Sequence, residues 1–372
     1  RQYEAMHVPG LDHLGKGIGS LDARFVVSAA RNYGKNRICC EAFGASGEDT
    51  SIEDVIRVSN WLLQQGVNML IAHGYYYSTR GERKNDFPPS YFFQFKDWDK
   101  MRAYNEMACR MMQLNSDGKF WGNILVYYPI ETFWKYYRPD PWEKTGFGEN
   151  GSRIIPKKAA QIDYEYQIFL NLLEDLNVPY QIITNDSMKN YQIKKEKWVN
   201  SLNQESFHTI VFFDAEIIPS ATKERLEEFS KNGGSIFHYN SAIDSAESKK
   251  FLDVEELANA CAKITDIGIE VLEGTKRCQH NLPAYPDHLI DPYIHNGEDL
   301  YGVGISRYDK AEYRIYNFTN YNLREEKITV KLKDVKHIEL WNPENGEQTI
   351  LEGEQVMFSI PPNRTRYIVA YN

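Results

Sequence analysis

The stretch NRICCEAFGASG, residues 36–47, decides how the fold is read. An apolar run, Ile38-Cys39-Cys40, is followed at once by a carboxylate, Glu41, and then by turns at Gly44 and Gly47. A solvated surface glutamate needs no such setting. A carboxylate buried at the C-terminal mouth of a strand does, because a desolvated charge is costly unless it is paired or used. The plain alternative is a structural ion pair between Glu41 and Arg37 or another cation.

Working outward, helical patterns flank this strand. SLDARFVVSAARNYG (20–34) places Leu21, Phe25, Val26 and Ala29 at helical spacing, with Gly34 as its stop. TSIEDVIRVSNWLLQQG (50–66) predicts a second helix, opened by a Thr50–Glu53 capping box and closed by Gly66. YEAMHV (3–8) reads as a strand before it and VNMLIAH (67–73) as one after it, the latter apolar enough to be covered on both faces. WDKMRAYNEMACRMMQL (98–114) supplies one more helix. Alternating strands and helices imply a parallel sheet with right-handed crossovers. In barrels of this kind chemistry collects at the C-terminal ends of the strands.

Three such units are fewer than the eight of a closed barrel. The expected organisation is therefore the C-terminal part of a (β/α)8 TIM-type barrel over 1–118, a flavodoxin-like doubly wound α/β domain over 119–263 and an antiparallel β-sandwich over 264–372. The second block alternates FWGNILVYYPI, DYEYQIFLNLLEDLN, PYQIIT, HTIVFFDA, ATKERLEEFSKNGG and SIFHYN. The third has closely spaced strands, EYRIYNFTN, EKITVKLK, HIELWNPENGEQTIL, QVMFSI and TRYIVAYN, with ENGE as a hairpin signal. A Pro- and His-rich connector, 278–300, lies between blocks two and three. The chain opens with Arg1, so a processed or truncated N-terminus is expected, with the missing barrel strands supplied by the same full-length protein.

Composition narrows the function. The 372 residues are 42% hydrophobic and 26% charged, with a net charge of −9. No basic stripe marks a nucleic-acid partner, and no apolar run is long enough to cross a membrane. The five cysteines, Cys39, Cys40, Cys109, Cys261 and Cys278, form no metal-type spacing and read as mostly buried thiols. Cys39 and Cys40 point to opposite faces of one strand and do not pair. Dinucleotide, phosphate-loop, zinc-protease and GxSxG signatures are absent, which weighs against an esterase or amidase. The sequons at Asn317 and Asn363 matter only in a glycosylating secretory cell.

Candidate site residues gather at the strand ends. Glu41 fits a general acid whose pKa is raised by burial. Asp12 and His13, in PGLDHLG, follow a Pro–Gly turn that aims them at the same mouth; the alternative is a loop-capping aspartate. His73 ends its strand and is followed by Tyr75, Tyr76 and Tyr77, rings suited to sugar faces and hydroxyls, or to plain loop packing. Arg83 and Asp86 sit in a loop too long for a minimal connection. Glu4 is a weak candidate for a second carboxylate.

MHVPGLDHLG, CCEAFGASG and GVNMLIAHGYYYSTRGERKNDFPPSYFFQF, in this order, resemble the latter half of the catalytic barrel in large bacterial glycoside hydrolases. The group most similar is the family of calcium-dependent inverting α-L-rhamnosidases and its uncharacterised relatives. The resemblance implies a glycosidase with Glu41 as catalytic acid and Asp12, His13, His73, Tyr76, Arg83 and Asp86 around the sugar. It also implies an oligosaccharide or polysaccharide substrate, export from a bacterial cell and a calcium ion whose ligands the sequence does not reveal. Cys40 stands where the family has serine, and Glu48 where it has an aromatic residue. The contrasting expectation is a non-catalytic glycan-binding or assembly protein that keeps a barrel remnant.

Overall fold

The computed structural model describes residues 2–137, 157–243, 248–274 and 302–371. The connector at 278–300, with Cys278, lies outside the described residues. Near the N-terminus, strands β1 (Gly10–Leu14), β2 (Cys39–Gly44) and β3 (Met69–Ala72) pair in parallel in that order. Helices α1 (Gln2–Ala5), α2 (Asp22–Asn32), α3 (Ile52–Gln65) and α4 (Met101–Asn115) accompany them. Cys40, Ala42, Trp61, Leu62 and Met111 belong to the buried core beneath the sheet. Among the described residues this sheet stays open and does not close into a barrel.

Three local expectations change here. Residues of YEAMHV form α1, not a strand, and β1 begins only after Pro9. Proline has no N–H for a ladder, and Gly10 must lack a side chain because the Cys39 sulfur occupies the place of its Cβ. The helix α3 opens with a Ser51–Asp54 capping box, one residue later than expected. The Thr50 hydroxyl instead bonds the carbonyls of Ser46 and Gly47. Gly66 does close α3, at φ +110°. Finally, β3 is covered on one face only, since Met69 and Ile71 are exposed.

The middle of the chain builds a second parallel sheet. Its elements run β4 (Lys119–Phe120), β5 (Ile124–Tyr127), α5 (Ile130–Tyr136), α6 (Lys157–Asp175), β6 (Tyr180–Ile183) and α7 (Asn185–Met188). They continue through β7 (Tyr191–Lys194), β8 (Lys197–Asn200), β9 (Ser206–Phe207), β10 (Thr209–Phe213), α8 (Ser220–Lys231), β11 (Ser235–Tyr239), β12 (Lys249–Phe251) and α9 (Val254–Ile264). The strand order is β12-β11-β10-β5-β6, while β7, β8 and β9 form a small sheet that the sequence reading missed. Alternation on the strands separates two cores. Val126, Val211 and Phe213 meet α6 and α9, whereas Leu125, Ile210 and Phe212 meet α8. FWGNILVYYPI is two strands, because β4 pairs antiparallel with a strand of the last sheet.

The last part has β13 (Ile269–Glu273), β14 (Val303–Asp309), β15 (Tyr313–Asn320), β16 (Glu326–Leu332), β17 (His337–Trp341), β18 (Gln348–Leu351), β19 (Gln355–Ile360) and β20 (Thr365–Tyr371). They form sheets ordered β13-β16-β19 and β18-β17-β20-β15-β14-β4 around a shared core that includes Phe318, Val330, Phe358 and Ile368. The outer face of the larger sheet, through Ile315, Tyr367 and Val369, joins the core under β1–β3. Asn317 is fully buried, so its sequon cannot carry a glycan. Of the thiols, Cys40 and Cys261 are buried, Cys39 is half-buried and Cys109 is exposed, against the expectation of burial for it.

Contacts between parts are polar and specific. The edge strand β6 is covered by α2: the Ile182 N–H donates to the Ser28 hydroxyl and Asn32 donates to the Ile182 carbonyl. Buried ion pairs Arg24–Glu174 and Arg31–Glu205 cross the same junction at 2.9 and 2.5 Å.

Candidate active site on the open sheet face

In-register parallel pairing decides which side chains share a face. Gly10, Cys39 and Met69 align, as do Asp12, Glu41 and Ile71; the intervening row is Leu11, Cys40 and Leu70. The second row packs against the helices. The first row, with Asp12 and Glu41 as neighbours, lies on the uncovered face. Adjacent strands are about 4.8 Å apart, so the two carboxylates stem from neighbouring points on one surface.

Glu41 is exposed and sits in mid-strand, not buried at a strand end as the sequence reading expected. The side of β2 that bears it has no covering layer among the described residues. Nor is it locked to Arg37, which bonds the Ser116 hydroxyl. Among the described residues neither Asp12 nor Glu41 makes an ion pair or a side-chain hydrogen bond. Cys39 sits beside both, opposite Gly10 and two residues before Glu41 on the same face. Burial pushes its thiol above the ordinary value, and the Asp12 and Glu41 charges push further.

A β-bulge ends the β1–β2 pairing: Leu14 pairs with Gly44, leaving Phe43 as the extra residue. Phe43 adopts φ +73°, a left-handed conformation strained for a bulky side chain, which turns its ring into the core beside Tyr91 and Tyr104. The Tyr91 hydroxyl donates to the Phe43 carbonyl at 3.0 Å and meets Ser46 at 2.7 Å. Nothing in the local sequence announced this bulge.

His73 follows β3 and is tied to β2 by its N–H, which donates to the Ala42 carbonyl. Its ring lies against Gly44, where a Cβ would come within 3.4 Å of the imidazole and 3.1 Å of Leu14. Tyr76 and Phe87 pack edge-on to that ring. The Tyr76 hydroxyl donates to the Asp86 carbonyl, Arg83 lies over the Tyr76 ring at 5.9 Å, and Arg83 and Asp86 are 3.9 Å apart. The structure thus brings His73, Tyr76, Arg83 and Asp86 together at the C-terminal rim of the sheet. Burial raises the Tyr76 phenol, with Asp86 adding and Arg83 opposing. The long loop is fastened down by Tyr91 N–H to Gly74, Gly47 N–H to Pro88 and Gln94 to the Tyr76 carbonyl. Phe87, Ser90 and Gln94 are parts of this rim that sequence reasoning missed.

His13 is not part of it. It occupies the helix-facing row, 4% exposed, with Nε2 2.8 Å from the Gly17 carbonyl and its ring 5.2 Å from that of Trp61. Strand alternation explains this, since Asp12 and His13 are consecutive and must face opposite ways. Glu4 is remote too, in α1 and paired with Lys189. Among the described residues no three His, Cys, Asp or Glu side chains gather as metal ligands.

An α/β chain with an open parallel sheet, carboxylates on its bare face and an antiparallel two-sheet C-terminal part is the class defined so far. Among solved structures it is similar to the rhamnosidase from Novosphingobium sp. PP1Y, with a TM-score of 0.65 and 12% identity over 99% of this chain and 35% of that one. A cold-adapted beta-galactosidase from Rahnella sp. R3 matches at a TM-score of 0.51 and 10% identity, over 98% of this chain and 60% of that one. This chain therefore shares its fold with a stretch of glycoside hydrolases and spans about a third of the rhamnosidase's length. No family model matches the sequence, and no curated protein is similar to it.

Proposed function

We propose that this chain is part of a glycoside hydrolase and carries one side of its active site. The observation behind this is the pairing of Asp12 with Glu41 on the open face, beneath the His73–Tyr76–Arg83–Asp86 rim. In this reading β1–β3 belong to a (β/α)8 barrel whose other strands cover the open face, exclude water and supply the desolvation that Glu41 lacks here. The exposed Met69 and Ile71 beside the carboxylates support that, since a finished barrel is filled by side chains. Strand order in the middle sheet, 2-1-3-4-5 when counted along the chain, supports a flavodoxin-like accessory domain. The two final sheets support a β-sandwich.

Glu41 then protonates the leaving oxygen, and the rim holds sugar hydroxyls. An inverting mechanism needs roughly 6.5–9.5 Å between its carboxyl groups, to leave room for a water. Asp12 and Glu41 stem from directly opposed positions on adjacent strands, about 4.8 Å apart, which favours a closer spacing than that. Asp12 is therefore a substrate-binding neighbour of Glu41, and the base that activates water lies on another part of the full-length protein. An α-L-rhamnoside is the first substrate to try and a β-galactoside the second, with the protein exported to meet a polysaccharide.

The test is a screen of the full-length protein on aryl glycosides, followed by Glu41→Gln. Activity that survives this substitution unchanged removes Glu41 from the mechanism. The exposure of Glu41 favours a second reading, a glycan-binding or assembly protein with no turnover. Glycan binding without hydrolysis in that screen selects it.

A further inference from the structure

A concave site lies at the opposite end of the sheet from His73. Ile38 and Asn68, just before β2 and β3, help line a cavity of about 320 Å³. Its charged lining is Arg31, Lys35, Lys119, Asp117 and Glu205. Leu202 forms one wall and approaches Gly34 so closely that a Cβ there would lie 2.7 Å from the leucine Cβ. Gly118 forms another, pressed by Tyr308 and Lys310.

Charge is unevenly shared in this hollow. Arg31 is 7% exposed, paired with Glu205 at 2.5 Å and held between the rings of Phe120 and Tyr308 at 5.5 and 5.4 Å. Its Nε has no hydrogen-bond partner. Two further cations are tied to Ser116 next to the lining: Lys310, which packs against Gly118, donates to its carbonyl, and the exposed Arg37 donates to its hydroxyl. Neither of those partners is an anion. Lys35 and Lys119 have no ion pair among the described residues. Burial holds the Lys310 ammonium below its ordinary value, with Asp117 opposing and the Arg31 and Arg37 charges reinforcing the drop.

Three lining cations, Arg31, Lys35 and Lys119, with Lys310 packed against Gly118, thus stand against two carboxylates, Asp117 and Glu205. The C-termini of α2 and α4 also end here and contribute about half a negative charge each. A positive surplus remains, in a chain whose net charge is −9. The hollow is small, about 320 Å³, and the chain as a whole is acidic, which weighs against nucleic acid.

We propose that this cavity is an oxyanion-binding site, taking sulfate, phosphate or the carboxylate of an acidic sugar, with Lys35 and Lys119 as its mouth and Arg31 at its back. The oxygens of such a group accept charge-assisted hydrogen bonds, which are the strong ones. The site touches the first strands, β4 and the Leu202–Glu205 turn, so an occupied cavity ties three parts of the chain together. It is independent of Glu41 and of any hydrolytic activity.

The test is isothermal titration calorimetry of this chain with sodium sulfate, sodium phosphate, glucuronate and, as a neutral control, glucose, at about 0.15 M chloride. At least one anion is expected to bind at millimolar concentration or tighter while glucose does not, and the arm that binds most tightly identifies the source of the oxyanion. The Lys35→Gln/Lys119→Gln double variant should bind it about tenfold more weakly, with anion-free thermal stability unchanged. Absence of heat from all three anions, equal binding of glucose and glucuronate, or undiminished binding by the double variant each overturns the proposal.

Discussion

Asp12 and Glu41 are register partners on adjacent parallel strands and project from the same uncovered face. Each reaches that face because its neighbours along the strand, Leu11 and His13 or Cys40 and Ala42, are claimed by the core side. Since both carboxylates are exposed, replacing them disturbs little packing. Glu41→Gln and Asp12→Asn should each leave folding stability within about 0.5 kcal/mol of the parent. Under the proposed function, Glu41→Gln should lower kcat by about 10²–10⁴-fold on a substrate with a poor leaving group. Asp12→Asn should act more on KM. Urea unfolding and steady-state kinetics, measured on the same preparations, separate the two effects.

The two candidate-site histidines, His13 and His73, should behave differently. His13 bonds Gly17 and packs on Trp61 within the core, so His13→Ala should cost about 1–3 kcal/mol of stability. His73 is half-buried on the rim, and His73→Ala should weaken saccharide binding more than folding. Urea midpoints and glycan titrations of both variants check this. A stability loss at His73 equal to that at His13 would place both in the core.

Much of this was legible because periodicity encodes faces. The helix α3 is amphipathic and Gly66 stops it, so its existence was plain, although its opening slipped from Thr50 to Ser51. Two hydroxyl residues there stand next to two acids at matching spacing, and propensity alone cannot choose between them. The Asp12–Glu41 pairing was beyond reach, since register depends on where β1 begins, and that is set by the Cys39 sulfur lying over Gly10. Phe43 carried no local sign of its bulge. Exposure at Glu41 could not be read either, because an apolar run signals a covered strand whether the cover is in the chain or elsewhere.

Arg24 and Glu174 meet across 150 residues of sequence, each side chain less than a tenth exposed. Burial alone would lower the Arg24 guanidinium, but the Glu174 carboxylate more than compensates and holds it above its ordinary value. Removing one member of such a pair strands the other in a poorly solvated place. Glu174→Gln should therefore destabilise the fold by about 3–5 kcal/mol, whereas an exposed pair such as Arg102–Glu106 should contribute less than about 1 kcal/mol. Equal, small losses in denaturant unfolding would show that water reaches the α2–α6 junction.

Asp214 provides a pH dependence of definite sign. It is 3% exposed at the end of β10, adopts φ +49° and accepts a 2.6 Å hydrogen bond from Asn240. Burial pushes its carboxyl up to about 7, with Glu165 adding to the rise while Asn240 and Lys158 oppose it. A carboxyl raised in the folded state holds a proton there that the unfolded chain, with its ordinary value of 3.8, has already released. Its contribution to stability is therefore fullest below about pH 4, declines as pH rises toward 7 and is flat above that, with a slope of at most about 1.4 kcal/mol per pH unit. Asp163, raised in the same direction by its own burial in α6, adds to the slope of the parent protein. The difference between parent and Asp214→Asn reports Asp214 together with its neighbour Glu165, while the amide oxygen can still accept from Asn240. Urea midpoints taken at about pH 5, 6, 7 and 8 should fall more steeply between 5 and 7 in the parent than in the variant and run parallel above 7. Parallel curves across the whole range would mean that Asp214 is ionised in the folded protein and that Glu165 does not oppose its charge.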